Sequence, residues 1–318
     1  GLAAGLGAAA GGAPGRARAQ DALPRQVRIV VGFAPGGAND IMARLLAQKL
    51  NERLPGSVFT VENRPGAATL VAAEYVARSA PDGTVLLYAS LSTLIAPLVS
   101  RAATLDPVRD FAPVAMAQSS PLLLVARADS PLRTLADVLA LARERPGRVT
   151  VSHPGQGGIN HLSMAMLMQA TGTEFTLVPY TGNAPSLTAL VRGEVDLASD
   201  SIIAARSLLE AGQLRPIAVS SAGRAAALPA VPSFAETVPG YEVGFWGGVL
   251  APRATPQPLL DRLNRELDAV LRQPEVAERI RGMGADPAGG SRADYARVIE
   301  QDWATYGRLV RETGLRGD

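Results

Sequence analysis

Two short stretches hold the residue types from which a binding site can be built. Residues 33–46 read FAPGGANDIMARLL, and residues 149–167 read VTVSHPGQGGINHLSMAML. Each is a strand-like run, a turn rich in Pro and Gly, and then a helical pattern. A helix N-terminus carries unpaired N–H groups and about half a positive charge, which suits an anion. Glycine lets the backbone approach a ligand closely and adopt φ > 0. Two such turns facing each other across a cleft would grip a small anion from both sides. The first turn is neither a phosphate loop of the G-x-x-x-x-G-K type nor a dinucleotide G-x-G-x-x-G, and it lacks a G-x-S-x-G elbow. A ligand-free tight turn, capped by Asn39 or Asp40, is the competing reading. Asp40 precedes Arg44 by four residues, so an ion pair is expected, and an acid is a poor direct ligand for a carboxylate. Asp40 is therefore read as scaffold.

Bond-making chemistry has little material. The sequence has no cysteine, and His153 and His161 are its only histidines, so no metal site, cofactor or catalytic residue is expected. A hydrolase using Ser152 with His153 or His161 is the enzyme alternative. Adjacent side chains on a strand point to opposite faces, which places Ser152 and His153 badly for it. The formal charge of +2 disappears if residues 1–19, with Arg16 and Arg18, are removed, and Lys49 is the only lysine. No basic run or aromatic-basic cluster supports nucleic-acid binding. With aromatics at 4%, a sugar site built on stacking is not expected either.

The elements that must position these turns follow from periodicity. Strand patterns at 27–33, 58–61, 85–88, 122–125, 148–152, 175–178, 195–198, 217–220 and 243–250 alternate with helical ones at 39–54, 67–78, 135–145, 159–170, 184–192, 202–211, 258–273 and 292–313. Such alternation predicts an α/β protein with mainly parallel sheets flanked by helices. Ligands in such sheets bind outside the carboxyl ends of strands, where both turns lie. Thr134 and Thr255 are predicted N-caps, the latter before Pro256. Extended Ser/Pro-rich stretches at 116–131 and 219–236 look like two crossings between lobes. One lobe is then 27–122 plus 222–318, the other 123–221. Residues 1–20, small, apolar and free of acid, end in an A-x-A-like Ala17-Arg18-Ala19. They are expected to be the tail of a secretory signal peptide cleaved near Ala19.

VRIVVGFAPGGANDIMARLLAQKL, VENRPGAATLVAAEYVARSAPDGTVLLYAS and VPYTGNAPSLTALVRGEVDLASDS, in this order, resemble the Bug family. These are the TctC-like extracytoplasmic solute receptors of tripartite tricarboxylate transporters, and the similarity runs over nearly everything after residue 26. The resemblance implies a two-lobe periplasmic-binding-protein fold of type II-like form with two crossing strands as hinge. It also implies a periplasmic, monomeric, non-enzymatic receptor that closes over a small carboxylate and serves a membrane permease. Docking on a sensor kinase instead would need the same clamp. The turns matching 33–40 and 152–161 would hold the ligand, partly through ordered water: Phe33, Ala34, Pro35, Gly36, Gly37 and Asn39 from one, Ser152, Gly157 and Gly158 from the other. Ser90, Ser92 and Thr93 are donors to the ligand or helix caps. His153 stands where the family often has a small residue, and its contact with ligand stays open. His161 matches a family His and is expected to lock the turn. Tyr180 could offer its hydroxyl. Asp200, matching a family Asp, either holds a ligand ammonium group or caps a helix.

Overall fold

The computed structural model describes residues 23–313 apart from residue 102; the leader reading for residues 1–19 lies outside the described residues. The chain runs β1 (Gln26–Val31), α1 (Ala38–Arg53), β2 (Val58–Asn63), a 3₁₀ turn (Ala67–Thr69), α2 (Leu70–Ala77), β3 (Val85–Ser90), α3 (Leu91–Val99), α4 (Pro107–Asp110) and β4 (Phe111–Arg127). It continues through α5 (Leu135–Glu144), β5 (Thr150–His153), α6 (Ile159–Thr171), β6 (Thr176–Pro179), α7 (Asn183–Val191), β7 (Leu197–Ser201), α8 (Ile202–Glu210) and β8 (Leu214–Val219). It ends with β9 (Gly244–Pro252), α9 (Gln257–Leu271), α10 (Pro274–Gly282), β10 (Asp286–Pro287) and α11 (Arg292–Thr313).

Two sheets share β4. In the first, β1 lies parallel to β2 and β3, and β9 joins β3 to the first half of β4 in antiparallel fashion. In the second, β5 lies parallel to β6 and β7, and the second half of β4 runs antiparallel to β7 and β8. Strands buried on both faces read as unbroken apolar runs, and β3 (VLLYAS) is buried throughout. One face of the first sheet buries Val27, Ile29 and Val31 against Met42 and Leu46 of α1 and Leu260 and Leu263 of α9. Each such side chain contributes about 1.5–3 kcal/mol by leaving water. Its other face packs on α2, α3 and α11, and the second sheet is covered by α5 and α6 on one side and α7 and α8 on the other.

The chain changes sheet at Pro121/Leu122 of β4 and returns between the end of β8 and the start of β9. Ser220 ties the two crossings together. Its N–H donates to Leu122 O (2.9 Å), its carbonyl accepts from Val243 N–H (2.8 Å), and its hydroxyl accepts from Leu122 N–H (2.8 Å) while donating to Val243 O (2.6 Å). Residues between the crossings fold back on the second sheet, with Ser233 bridging Val219 and Tyr241 bonded to Ser163. We therefore draw the return crossing at Val243 rather than after residue 221. Ser220→Ala would orphan a buried N–H and a buried C=O, so urea unfolding should show a loss of about 1–3 kcal/mol.

Some boundaries differ from the pattern reading. The strand seen at 122–125 is the end of a much longer β4, whose first half has small residues, Pro113 and two bulges that break the period-2 pattern. Helix α3 was unread because Ser-rich sequence and an internal Pro97 mask it. Helix α10 begins at Pro274, just past the 258–273 pattern, and was unread. Thr134 caps α5 as expected, exchanging bonds with Asp137. Thr255 does not cap α9, whose N-cap is Pro256 itself.

Candidate ligand-binding site

The first turn is organised by Asp40. Its carboxylate accepts from Gly36 N–H (2.9 Å), Arg44 Nε (3.0 Å) and Asn63 Nδ2 (2.9 Å), and Asn63 also donates to Phe33 O. Burial works to raise the Asp40 pKa, but the bonds from Arg44, Gly36 and Asn63 outweigh it and the net shift is downward. Gly36 sits at φ 85°, where the left-handed backbone favours glycine. No side chain caps α1 at Gly37, which leaves the first-turn amides without a capping acceptor, and Ala38 and Asn39 line the gap between the lobes.

The second turn is organised by imidazoles. His161 Nδ1 accepts from Gly157 N–H (3.0 Å), so its proton sits on Nε2. His153 Nδ1 lies 3.0 Å from Gly155 O and donates to it, which leaves Nε2 as a buried lone pair without a partner. The rings stack at 5.0 Å with 5° between planes. Burial, with the neighbouring His161, pushes His153 down to about 3, and burial also lowers His161, so both are neutral at pH 7. No side chain caps α6 at Gly158.

The two turns meet. Ile159 N–H, the first amide of α6, donates to Ser92 Oγ across the cleft at 3.1 Å. Gly37 lies against Asn183, Gly182 against Ala34, and Gly155 against Ala68. Between them a gap of about 10 Å³ is lined by Phe33, Ala38, Asn39, Ser92, Asn160, Asn183 and Ser201 among others, room for about one water. Phe33 and Pro154 connect it to a larger chamber of about 460 Å³. The lobes are thus closed, with the N-terminal ends of α1 and α6 on one small polar gap.

Among the sequence candidates, Phe33, Asn39, Ser92 and Tyr180 line this space. Ala34 and Gly37 form its cross-lobe contacts, while Pro35 and Gly36 are exposed outside it. Others are turned to internal work. Thr93 Oγ1 accepts from Ser90 N–H and from Thr69 Oγ1. Ser90 is buried under α3 with no part in either lining. Ser152 is not in the cleft: its hydroxyl donates to Ser186 O (3.2 Å) and accepts from Ser186 Oγ (2.9 Å). That bond also removes it from both histidines as a nucleophile. The Gly157 and Gly158 amides are spent on His161 and Gly155 O. His153 is fully buried beneath the turn. Asp200 is fully buried as well, accepting from Asn183 Nδ2 (2.6 Å) and Ser201 N–H (2.7 Å), with Oδ2 unpartnered. Burial pushes it up to about 7 against those bonds.

Sequence reasoning missed Asn160, Asn183 and the wall at 65–70. The pattern helix at 67–78 starts only at Leu70. Ala67, Ala68 and Thr69 all have positive φ (44°, 49° and 88°), a costly run for residues with a Cβ. It lines the chamber and sits on Gly32, where any Cβ would meet Thr69 at 2.6 Å. The glycine in PGAAT was the available signal.

A family model described as the tripartite tricarboxylate transporter family receptor matches residues 42–315. Solved structures agree along nearly the whole chain. Rpa4515 of R. palustris, solved with adipate, has a TM-score of 0.88 at 37% identity, covering 92% of this chain and 98% of that one. The periplasmic binding protein BugD gives 0.86 at 30%, covering 92% and 98%. MatC from Rhodopseudomonas palustris, with bound malate, gives 0.83 at 32%, covering 90% and 99%. The two sheets joined by β4 are a two-lobed periplasmic-binding-protein fold. This chain belongs to the tripartite tricarboxylate transporter receptor family, whose members are solute receptors and not enzymes.

Proposed function

We propose that this protein captures a small organic carboxylate outside the inner membrane and delivers it, as a monomer, to the permease of a tripartite tricarboxylate transporter. The observation that carries the reading is the pair of helix N-termini without an N-cap side-chain bond on one closed gap with no charged side chain in its lining, where Ser92 Oγ takes only the first amide of α6. Backbone N–H groups at two helix ends offer an anion both donors and favourable dipoles. The carboxylate head sits at the chamber side of this gap, reached directly or through the one water the gap can hold. Adipate in one relative and malate in another support the ligand class. The family supports a periplasmic location, and no described helix is long and apolar enough to cross a membrane. Titration calorimetry against a panel of mono-, di- and tricarboxylates and acidic amino acids should find binding that raises Tm. A folded protein that responds to no member of the panel would overturn the proposal.

A further inference from the structure

The gap between the helix ends fixes where one carboxylate goes; the rest of the ligand must lie in the chamber beyond Phe33. Among the described residues, its walls carry no charged side chain. Phe33, Leu70, Ala96 and Val99 make the apolar part, and the polar groups that reach it, such as Gln156 and Tyr180, are uncharged. Arg64, beside the chamber in sequence, is turned to other work: it is ion-paired to Glu62 and stacked on Tyr75 at 3.7 Å. In the left-handed wall, Thr69 N–H and Leu70 N–H are spent on Gly66 O and Ala67 O. Among the described residues, no charged side chain of the wall is therefore there to match a second carboxylate.

An ammonium group fares no better. Of the carboxylates beside the gap, Asp40 is spent on Gly36, Arg44 and Asn63, and Asp200 is fully buried with Asn183 between it and the cleft. Asn183 gives its amide N–H to Asp200 and turns its oxygen toward Gly37. A zwitterionic amino acid would leave its cation without a counter-charge.

Resting on the receptor reading above, we propose that the ligand is a monocarboxylate with an uncharged, largely apolar body about the size of an aromatic ring or a medium-length alkyl chain. A chamber of about 460 Å³ belongs to the ordinary range for small-molecule sites, about 300–1,000 Å³, which are mostly apolar with a few placed polar groups. Burying a second charge without a partner is disfavoured, whereas a hydroxyl or keto substituent would find Gln156, Tyr180 or Thr181.

Length-matched acids test this. Calorimetry should show hexanoate binding at least tenfold tighter than adipate, benzoate at least tenfold tighter than terephthalate, and glutamate binding weaker than either monoacid. Gln156 is exposed at the chamber, so Gln156→Arg should fold normally and shrink both ratios by raising diacid affinity. Adipate or glutamate binding as tightly as hexanoate would overturn the monoacid proposal and leave the receptor reading standing. Silence from all of these acids in a folded protein would overturn both.

Discussion

Gly37→Val should leave both lobes folded and weaken ligand binding by about 10–100-fold, the effect of one overpacked contact of about 1–3 kcal/mol. Gly37 has φ −83° and ψ 171°, an extended conformation open to any residue, so no backbone strain arises. The obstacle lies across the cleft: a Cβ there would meet Asn183 Oδ1 at 2.4 Å. Asn183 cannot swing aside cheaply, because Asp200 holds its amide at 2.6 Å. The clash lies between lobes and is relieved by their opening rather than by unfolding, so Tm of the free protein should move little. Small-angle scattering should show a variant that stays open when ligand is added. Adding Asn183→Ala should recover part of the closure. A Gly37→Val protein that binds and compacts like the parent would show that closure does not bring these two residues together.

The second large effect concerns pH. Asp200 is raised from its ordinary 3.8 to about 7 by burial, so the folded state favours its neutral form. Its contribution to stability is greatest below pH 3.8, declines as pH rises, and levels off above about 7. His153 is lowered from 6.5 to about 3, so its contribution is greatest above pH 6.5 and is lost as pH falls toward 3. The two slopes oppose each other between about pH 4 and 6.5. Asp200→Asn keeps the Oδ1 acceptor for Ser201 and Asn183 and supplies a neutral group in place of the unpaired oxygen. It should raise unfolding free energy at pH 8 by roughly 4 kcal/mol, from the shift of about three units. At pH 3.5 it should change little. Between those values the loss due to His153 should stand out as acid sensitivity that the parent protein masks. Equal stability of parent and variant at pH 8, with equal stability at pH 3.5, would show that Asp200 is not held neutral by burial.

The sequence made the clamp legible but not its inner lining. The alternation of patterns, the two Pro-Gly turns and the Asp40–Arg44 spacing are local signals; the structure has the turns and the ion pair where they were read, and most of the patterned elements with shifted ends. Ser152 and Asp200 were misjudged or left open because a strand end reveals that a side chain is near a cleft, not which face of the sheet it takes. Ser152 takes the face that meets α7, where Ser186 is waiting. Asn183 could not be singled out, since its role needs Asp200 behind it and Gly37 in front, residues 17 and 146 positions away. The left-handed run at Ala67, Ala68 and Thr69 was hidden because alanines ordinarily favour the right-handed helix that the pattern suggested.

The groups that meet the carboxylate in this reading are main-chain amides, at the start of α1 and at the start of α6. No codon change deletes a main-chain N–H, short of introducing proline; a point mutation can only shift it. The chamber behind Phe33, by contrast, is made of side chains that any substitution rewrites. A gene encoding this fold can therefore drift between cargoes one residue at a time while its grip on the acid group persists, which makes the receptor a ready starting point for both natural divergence and laboratory evolution.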